Sequence, residues 1–284
     1  MNAVLARART EYSEEPARIA PSQAPAHPLR VVFCTRGGLF GDLVLERLLA
    51  CDRVELCGIV RSSRVFSPRW GFVRGALAFI RRCGIAYSLY LFCATTVADV
   101  VRTIARKAPR LSVPAHTTRN VNDAAGLRFL RECAPDLIVS AFFDQRLEEI
   151  ALSIPARGSV NIHPSLLPAF RGVEPVLQAK LQSAPSIGVT VHRMTAALDA
   201  GNILAQQSID LRDDASVFEA TARLLAHGTE LLIGTLEGVA RAEPGLPQSA
   251  GGSYESWPVP AELRALRVRG GRLFRLRDLR LLRI

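Results

Sequence analysis

Between Leu29 and Val60 short apolar runs alternate with a helical stripe, and this alternation limits the fold more than any other feature of the chain. Leu29–Thr35 (LRVVFCT) has apolar side chains at both odd and even positions, which suits a strand covered on both faces. Arg36-Gly37-Gly38 is a turn signal. Asp42–Ala50 spaces Leu43, Leu45, Leu48 and Leu49 as a helix does, and Val54–Val60 predicts a second strand. Strand, glycine turn, helix, strand is the opening unit of an α/β fold. The glycines could present backbone N–H groups to a phosphate. Their spacing is not G-x-G-x-x-G, so a plain tight turn is the favoured reading.

The same grammar returns after residue 110. Asp123–Cys133 predicts a helix with Leu127, Phe129 and Leu130 inward, Asp136–Ala141 a strand, and Leu147–Leu152 a short helix. Gly158–Ile162, Ile187–Arg193 and Ile203–Ile209 predict strands, Glu174–Leu181 a helix, and Ser216–Val239 a long helix with Ser216 as its cap. The expected fold class is α/β: a Rossmann-like, mostly parallel twisted sheet with helices on both faces, a helical insertion and a short C-terminal hairpin extension. The expected organisation is a disordered tail over 1–28, a catalytic domain over 29–240 with the insertion at about 63–110, and an extension over 241–284. Pro16, Pro21, Pro25 and Pro28 break any long helix in the tail. Pro244–Pro260 reads as a draped loop, and Gly270-Gly271 between Leu266–Arg269 and Arg272–Leu276 reads as a hairpin turn.

The insertion has its own character. Cys83–Ala98 is a run of sixteen uncharged residues. A spanning helix needs roughly 20 apolar residues, and this run contains Gly, Ser and two Thr, so a transmembrane segment is rejected. Ordinary packed helices are the favoured reading. Arg74, Arg81 and Arg82 among Phe72, Val73, Leu77, Phe79 and Ile80 leave open a peripheral membrane or protein contact through 69–107.

Composition narrows the classes further. The six cysteines show no C-x-x-C pair, so they read as reduced thiols with no metal site. With no secretory segment before Leu29, a cytoplasmic location is expected. Lys plus Arg number 36 against 26 acids, for a formal charge of +10. Lys107 and Lys180 are the only lysines; such an arginine bias follows base composition as readily as it follows nucleic-acid binding. Nucleic acid is therefore a disfavoured partner that stays open, as does a homodimer.

The densest chemical signal is Val160–Gly172, V-N-I-H-P-S-L-L-P-A-F-R-G. Asn161 and His163 stand two apart on a strand and so share a face. Pro164 ends the strand, and ligand sites in open α/β sheets gather beyond the carboxyl ends of strands. The second signal is Asp199-Ala200-Gly201, a carboxylate in a tight loop.

Together, N-I-H-P-S-L-L-P-A-F-R-G, G-V-T-V-H-R-M and D-A-G-N-I-L-A-Q resemble the formyltetrahydrofolate-dependent formyltransferase family. The family includes methionyl-tRNA formyltransferase, glycinamide ribonucleotide formyltransferase and the sugar-nucleotide N-formyltransferases. The resemblance runs from about Leu29 to about Gln207, outside 63–110. It implies N10-formyltetrahydrofolate as formyl donor and a catalytic set of Asn161, His163 and Asp199. Asn161 would donate to the formyl oxygen, His163 would polarise or protonate it, and Asp199 would orient water or accept the amine's proton. His192 is expected to support these residues. The strand and loop Ser140–Leu147 would border the pterin, with Phe142, Phe143 and the backbone near Arg146 and Leu147 in contact; Asp144-Gln145-Arg146 departs from the small or apolar residues of many relatives.

For the acceptor, the resemblance points to the amine of a small molecule, an amino sugar nucleotide or an amino acid derivative made in specialised metabolism. About 45 residues follow Val239, too few for a tRNA-gripping barrel. The turn after the first strand also matches the glycinamide ribonucleotide enzymes poorly. The alternatives are a formyltetrahydrofolate hydrolase, an enzyme like methionyl-tRNA formyltransferase with a truncated C-terminal domain, and a non-catalytic scaffold.

Overall fold

The computed structural model describes residues 27–67, 69–97, 113–184, 186–212 and 214–283. The expected tail, but for its last two residues, and the insertion beyond residue 97 lie outside them. The strands are β1 (Leu29–Thr35), β2 (Val54–Ser62), β3 (Ala115–Thr118), β4 (Leu137–Ala141), β5 (Ser159–His163), β6 (Arg171–Gly172), β7 (Gly188–Arg193), β8 (Ile203–Ser208) and β9 (Tyr254–Glu255). Seven form one sheet in the order β3-β2-β1-β4-β5-β7-β8. The β3 to β5 half is parallel, whereas β7 and β8 run antiparallel beside β5. The expected mostly parallel α/β sheet is present.

Helices cover both faces. They are α1 (Gly38–Leu49), α2 (Phe72–Cys83), α3 (Ile85–Phe92), α4 (Ala124–Cys133), α5 (Glu149–Leu152), α6 (Pro175–Leu181), α7 (Val217–Ala240) and α8 (Pro260–Val268). One turn of π-helix (Cys93–Val97) extends α3. β1 shows why its sequence had no alternation. Val31 and Phe33 pack into the core beneath α1 and α7, while Val32 and Cys34 pack into a second cluster with Leu130 and Cys133 of α4. A strand buried on both faces needs apolar side chains at both parities.

Two expectations are corrected. α1 begins at Gly38, four residues before the predicted start. A Cβ built on Gly38, whose φ is +70°, would lie 2.4 Å from the carbonyl oxygen of Ala94. The glycine is thus needed for close approach of the π-helical turn as well as for chain reversal.

The second correction is the C-terminal hairpin. Residues 260–268 form α8, and Leu276–Arg283 is 3₁₀-helical. Leu263 and Leu266 are the buried side chains of α8, Pro260 occupies its first turn, and the Glu262 carboxylate accepts the Val259 N–H at 2.7 Å. Gly270, at φ +78°, lies just beyond the helix, and Gly271 N–H donates to Leu266 O at 2.9 Å. Glycines that could have turned a hairpin terminate a helix instead.

The loop preceding α8 is draped over the fold and pinned at several points: Leu246 bridges Ile203, and β9 pairs with β6, Tyr254 opposite Arg171. Among the described residues no helix is long and apolar enough to cross a membrane, and no cluster of His, Cys, Asp or Glu could hold a metal ion.

Candidate active site

The site forms on one face of β5 and β7. Val160 and Ile162 belong to the core that includes α7, and a Cβ on Gly228 of α7 would collide with Ile162. Strand alternation therefore sends Asn161 and His163 to the other face. β7 lies antiparallel with Asn161 directly opposite His192, so that histidine joins the same face.

Asp199 arrives from an unexpected direction. β7 ends at Arg193, opposite Val160 at the start of β5. The following loop doubles back over the sheet face and brings Asp199 Oδ1 to 3.8 Å from His163 Nδ1 and 3.7 Å from His192 Nε2. Asp199 has φ +50°, a left-handed conformation that Asp tolerates better than most residues. Its other oxygen accepts the Gly172 N–H at 2.8 Å. Gln248 fastens the loop from outside, donating to the carbonyls of Asp199 (2.9 Å) and Gly201 (2.8 Å). The Gln248 carbonyl oxygen accepts from Arg171 at 2.7 Å.

The hydrogen bonds fix the roles of the rings. His192 Nδ1 lies 2.8 Å from Arg193 O, which can only accept, so the proton sits on Nδ1. Nε2 is then the acceptor for Asn161 Nδ2 at 3.2 Å. Burial, with a further contribution from His163, pushes the His192 pKa down to about 4, so the ring is neutral at pH 7. This bond orients the Asn161 amide and leaves its second N–H for a ligand. His163 Nε2 donates to Phe170 O at 2.9 Å, which turns its Nδ1 edge toward Asp199. His163 and His192 are both buried, and Asn161 and Asp199 are half-buried at the rim.

The structure thus brings Asn161, His163 and Asp199 together. The four residues expected to border a cofactor are more dispersed. Phe142, at φ +50°, forms the bend after β4; its ring meets Phe40 edge-on at 4.8 Å, and its carbonyl accepts the Arg36 N–H at 2.8 Å. Phe143 is half-buried against the α4 cluster. Arg146 is exposed, with its carbonyl bonded to Asn122 at 2.9 Å. Leu147 is buried in the α4 cluster, so only its backbone is available to a ligand.

The sequence marks Gln145 only as a departure from the family pattern, and the structure shows that it shapes this loop. Gln145 is buried and donates to Ser62 Oγ (2.8 Å) and Thr118 O (2.9 Å), while its own oxygen accepts the Val121 N–H at 2.7 Å. It locks the loop to the tips of β2 and β3. Asp144 pairs with Arg36 beside it. The stretch that departs from the resemblance is a structural latch.

A sheet face that gathers an amide, two imidazoles and a carboxylate defines a class of protein suited to polar group transfer. A family model described as formyl transferase matches residues 93–236, and the chain belongs to this family. It is 34% identical over 214 residues to a methionyl-tRNA formyltransferase of Roseiflexus sp. (strain RS-1), covering 75% of this chain and 58% of that one. A second, from Roseiflexus castenholzii, is 34% identical over 75% of this chain and 59% of its own length. The chain thus spans a little over half the length of these curated relatives. Among solved structures, a sugar N-formyltransferase from a Shewanella species has a TM-score of 0.53 at 17% identity, over 89% of this chain and 86% of that one. Glycinamide ribonucleotide transformylase 1 from Symbiobacterium toebii has a TM-score of 0.54 at 18% identity, over 80% and 99%. At those identities the structures speak for the fold alone.

Proposed function

We propose that the protein transfers a formyl group from N10-formyltetrahydrofolate to the amine of a small molecule, an amino sugar nucleotide or an amino acid derivative. The observation that carries this reading is the approach of Asp199 to His163, with Asn161 oriented beside them by neutral His192. The folate is a substrate here, consumed with each turnover.

Attack of an amine on a formyl carbon gathers negative charge on the formyl oxygen. Asn161 has one amide hydrogen committed to His192 and one to offer that oxygen. A donor so aimed contributes roughly 3 kcal/mol to the transition state. His163 serves Phe170 O through Nε2, so a proton delivered to substrate leaves from Nδ1, and Asp199 is the adjacent counter-charge. Asp199 accepts the proton that the attacking amine must lose. The bend at Phe142 and Phe143, at the end of the strand beside β5, offers aromatic surface and backbone polar groups of the kind a pterin ring uses. Arg146 and Leu147 contribute through backbone.

The acceptor class rests on the motif wording G-V-T-V-H-R-M and D-A-G-N-I-L-A-Q. The test is consumption of formyltetrahydrofolate with a panel of amines, followed by mass spectrometry for one added formyl group. Amine-independent loss of donor identifies a hydrolase instead, and formylation of methionyl-tRNA identifies the tRNA reaction. His163→Ala and Asp199→Asn each lower turnover at least about a hundredfold. Near-native activity in either variant refutes the assignment.

A further inference from the structure

A concave site lies away from Asn161, His163 and Asp199. α3, the start of α7, α8 and the segment after it enclose a cavity of about 730 Å³, within the size range of sites that take small ligands. Its inner wall is apolar and includes Tyr90, Phe218 and Leu266, all buried. At its mouth Ile85 is 74% exposed and Leu89 59%.

The charge of the wall has one sign. Arg264, Arg267 and Arg272 line it, and no Asp or Glu does. Arg272 is held in place by donating to Gly271 O at 2.8 Å. Further along the chain Arg277 and Arg280 are paired with Asp214 or Glu219. Among the described residues no carboxylate pairs with Arg264 or Arg267 in this way. Apolar depth beneath a cationic rim is complementary to a molecule with an aliphatic chain and an anionic head.

The surface of α2, whose last residue Cys83 lines the cavity, decides where such a molecule comes from. α2 presents Phe72, Val73 and Leu77 to solvent beside Arg74, Arg81 and Arg82. A free fatty acid in the cavity would leave those side chains in water. A bilayer would cover them, and an apolar face combined with basic residues is the pattern of helices that lie in a membrane interface. We propose that the cavity takes an acyl chain of an anionic bilayer lipid, with α2 and α3 resting on the membrane surface. The proposal is independent of which amine is formylated.

The test is flotation of the full chain with vesicles of phosphatidylglycerol and phosphatidylcholine, compared with phosphatidylcholine alone. The expected result is recovery with the anionic vesicles at least about tenfold above the neutral ones. Ile85→Glu/Leu89→Glu and, separately, Arg264→Gln/Arg267→Gln reduce recovery several-fold while leaving the thermal melt unchanged. The two pairs act on chemically different parts of the site, so a folding defect in one leaves the other informative. The idea is overturned if the chain stays unbound, if neutral vesicles bind it equally, or if both pairs float like the unmodified chain. Binding of soluble palmitate without vesicle binding overturns it too, as does self-association that the same substitutions abolish in the absence of flotation.

Discussion

His192 shows how one side chain sets the state of its neighbour. Asn161 can donate to Nε2 only while that nitrogen keeps its lone pair, and burial supplies the condition by depressing the pKa to about 4 from an ordinary 6.5. In the unfolded chain the ring protonates near 6.5, so between 6.5 and 4 the unfolded state binds a proton the folded state refuses. This contribution to stability is complete above pH 6.5 and is lost as pH falls toward 4. Urea denaturation across that window should show stability falling with pH, and His192→Gln, which retains an acceptor for Asn161, should flatten the difference. An unchanged slope would remove His192 from the account. Gln248 acts on the carboxylate. Its bonds to the carbonyls of Asp199 and Gly201 hold a left-handed loop over the sheet. Gln248→Ala should lower kcat about tenfold with little change in KM. Added to Asp199→Asn it should cost almost nothing more, because the two act as one unit; full additivity would make Gln248 merely structural. At this scale Asn161, His163 and Asp199 were legible as a candidate set through the motifs that carry the family resemblance, since an Asp in a tight loop would by itself read as an ordinary turn. Gln248 was not, since 47 and 49 residues separate it from its partners and a Gln in a Pro-Gly-Ser stretch carries no pattern.

Elements were read well where periodicity decided the matter. β1 matches its apolar run end to end, and α7 begins immediately after its predicted cap. The C-terminal segment was misread because a Gly-Gly pair ends a helix as readily as it turns a hairpin. What decides between them is burial of Leu263 and Leu266 against the rest of the fold, which is a tertiary fact. The same segment is fastened at Ser216. Its hydroxyl accepts the Glu219 N–H at 2.9 Å, capping α7, and donates to Asp278 Oδ2 at 2.6 Å. That carboxylate oxygen also accepts the Arg275 N–H at 2.7 Å, and Asp278 is fully buried. Ser216→Ala removes a helix cap and a donor to a buried carboxylate together. The loss should be roughly 2–4 kcal/mol in denaturant unfolding, near the sum of the two ordinary costs. Ser216→Thr, keeping the hydroxyl, should recover most of it. Equal losses in both variants would mean that packing, and not these bonds, joins α7 to the C-terminal turn.

At the scale of the molecule, the candidate site is a junction. The face of β5, the paired strand β7, the returning loop with Asp199 and the Gln248 segment all meet there, although they span residues 159 to 248, and the bend after β4 ends the strand beside β5. The sequence carried the α/β class but could not show the antiparallel turn of β7, which places His192 opposite Asn161 and sends the Asp199 loop back across the face. A ligand bound across those elements would stabilise the chain against global unfolding rather than local fraying. Tetrahydrofolate, lacking a formyl group to transfer, isolates that effect. At a hundredfold its Kd a ligand that binds only the folded state adds about 2.7 kcal/mol. For a chain of this size the melting temperature should then rise by roughly 4–6 °C. Phe142→Ala, which removes the ring packed on Phe40, should shrink the rise at a fixed ligand concentration. Asn161→Ala, which spares that bend, should keep most of the rise while losing turnover. If Phe142→Ala keeps the full rise and Asn161→Ala abolishes it, the folate does not lie along the β4 bend. Its binding surface would then have to be sought nearer β7 and the Gln248 segment.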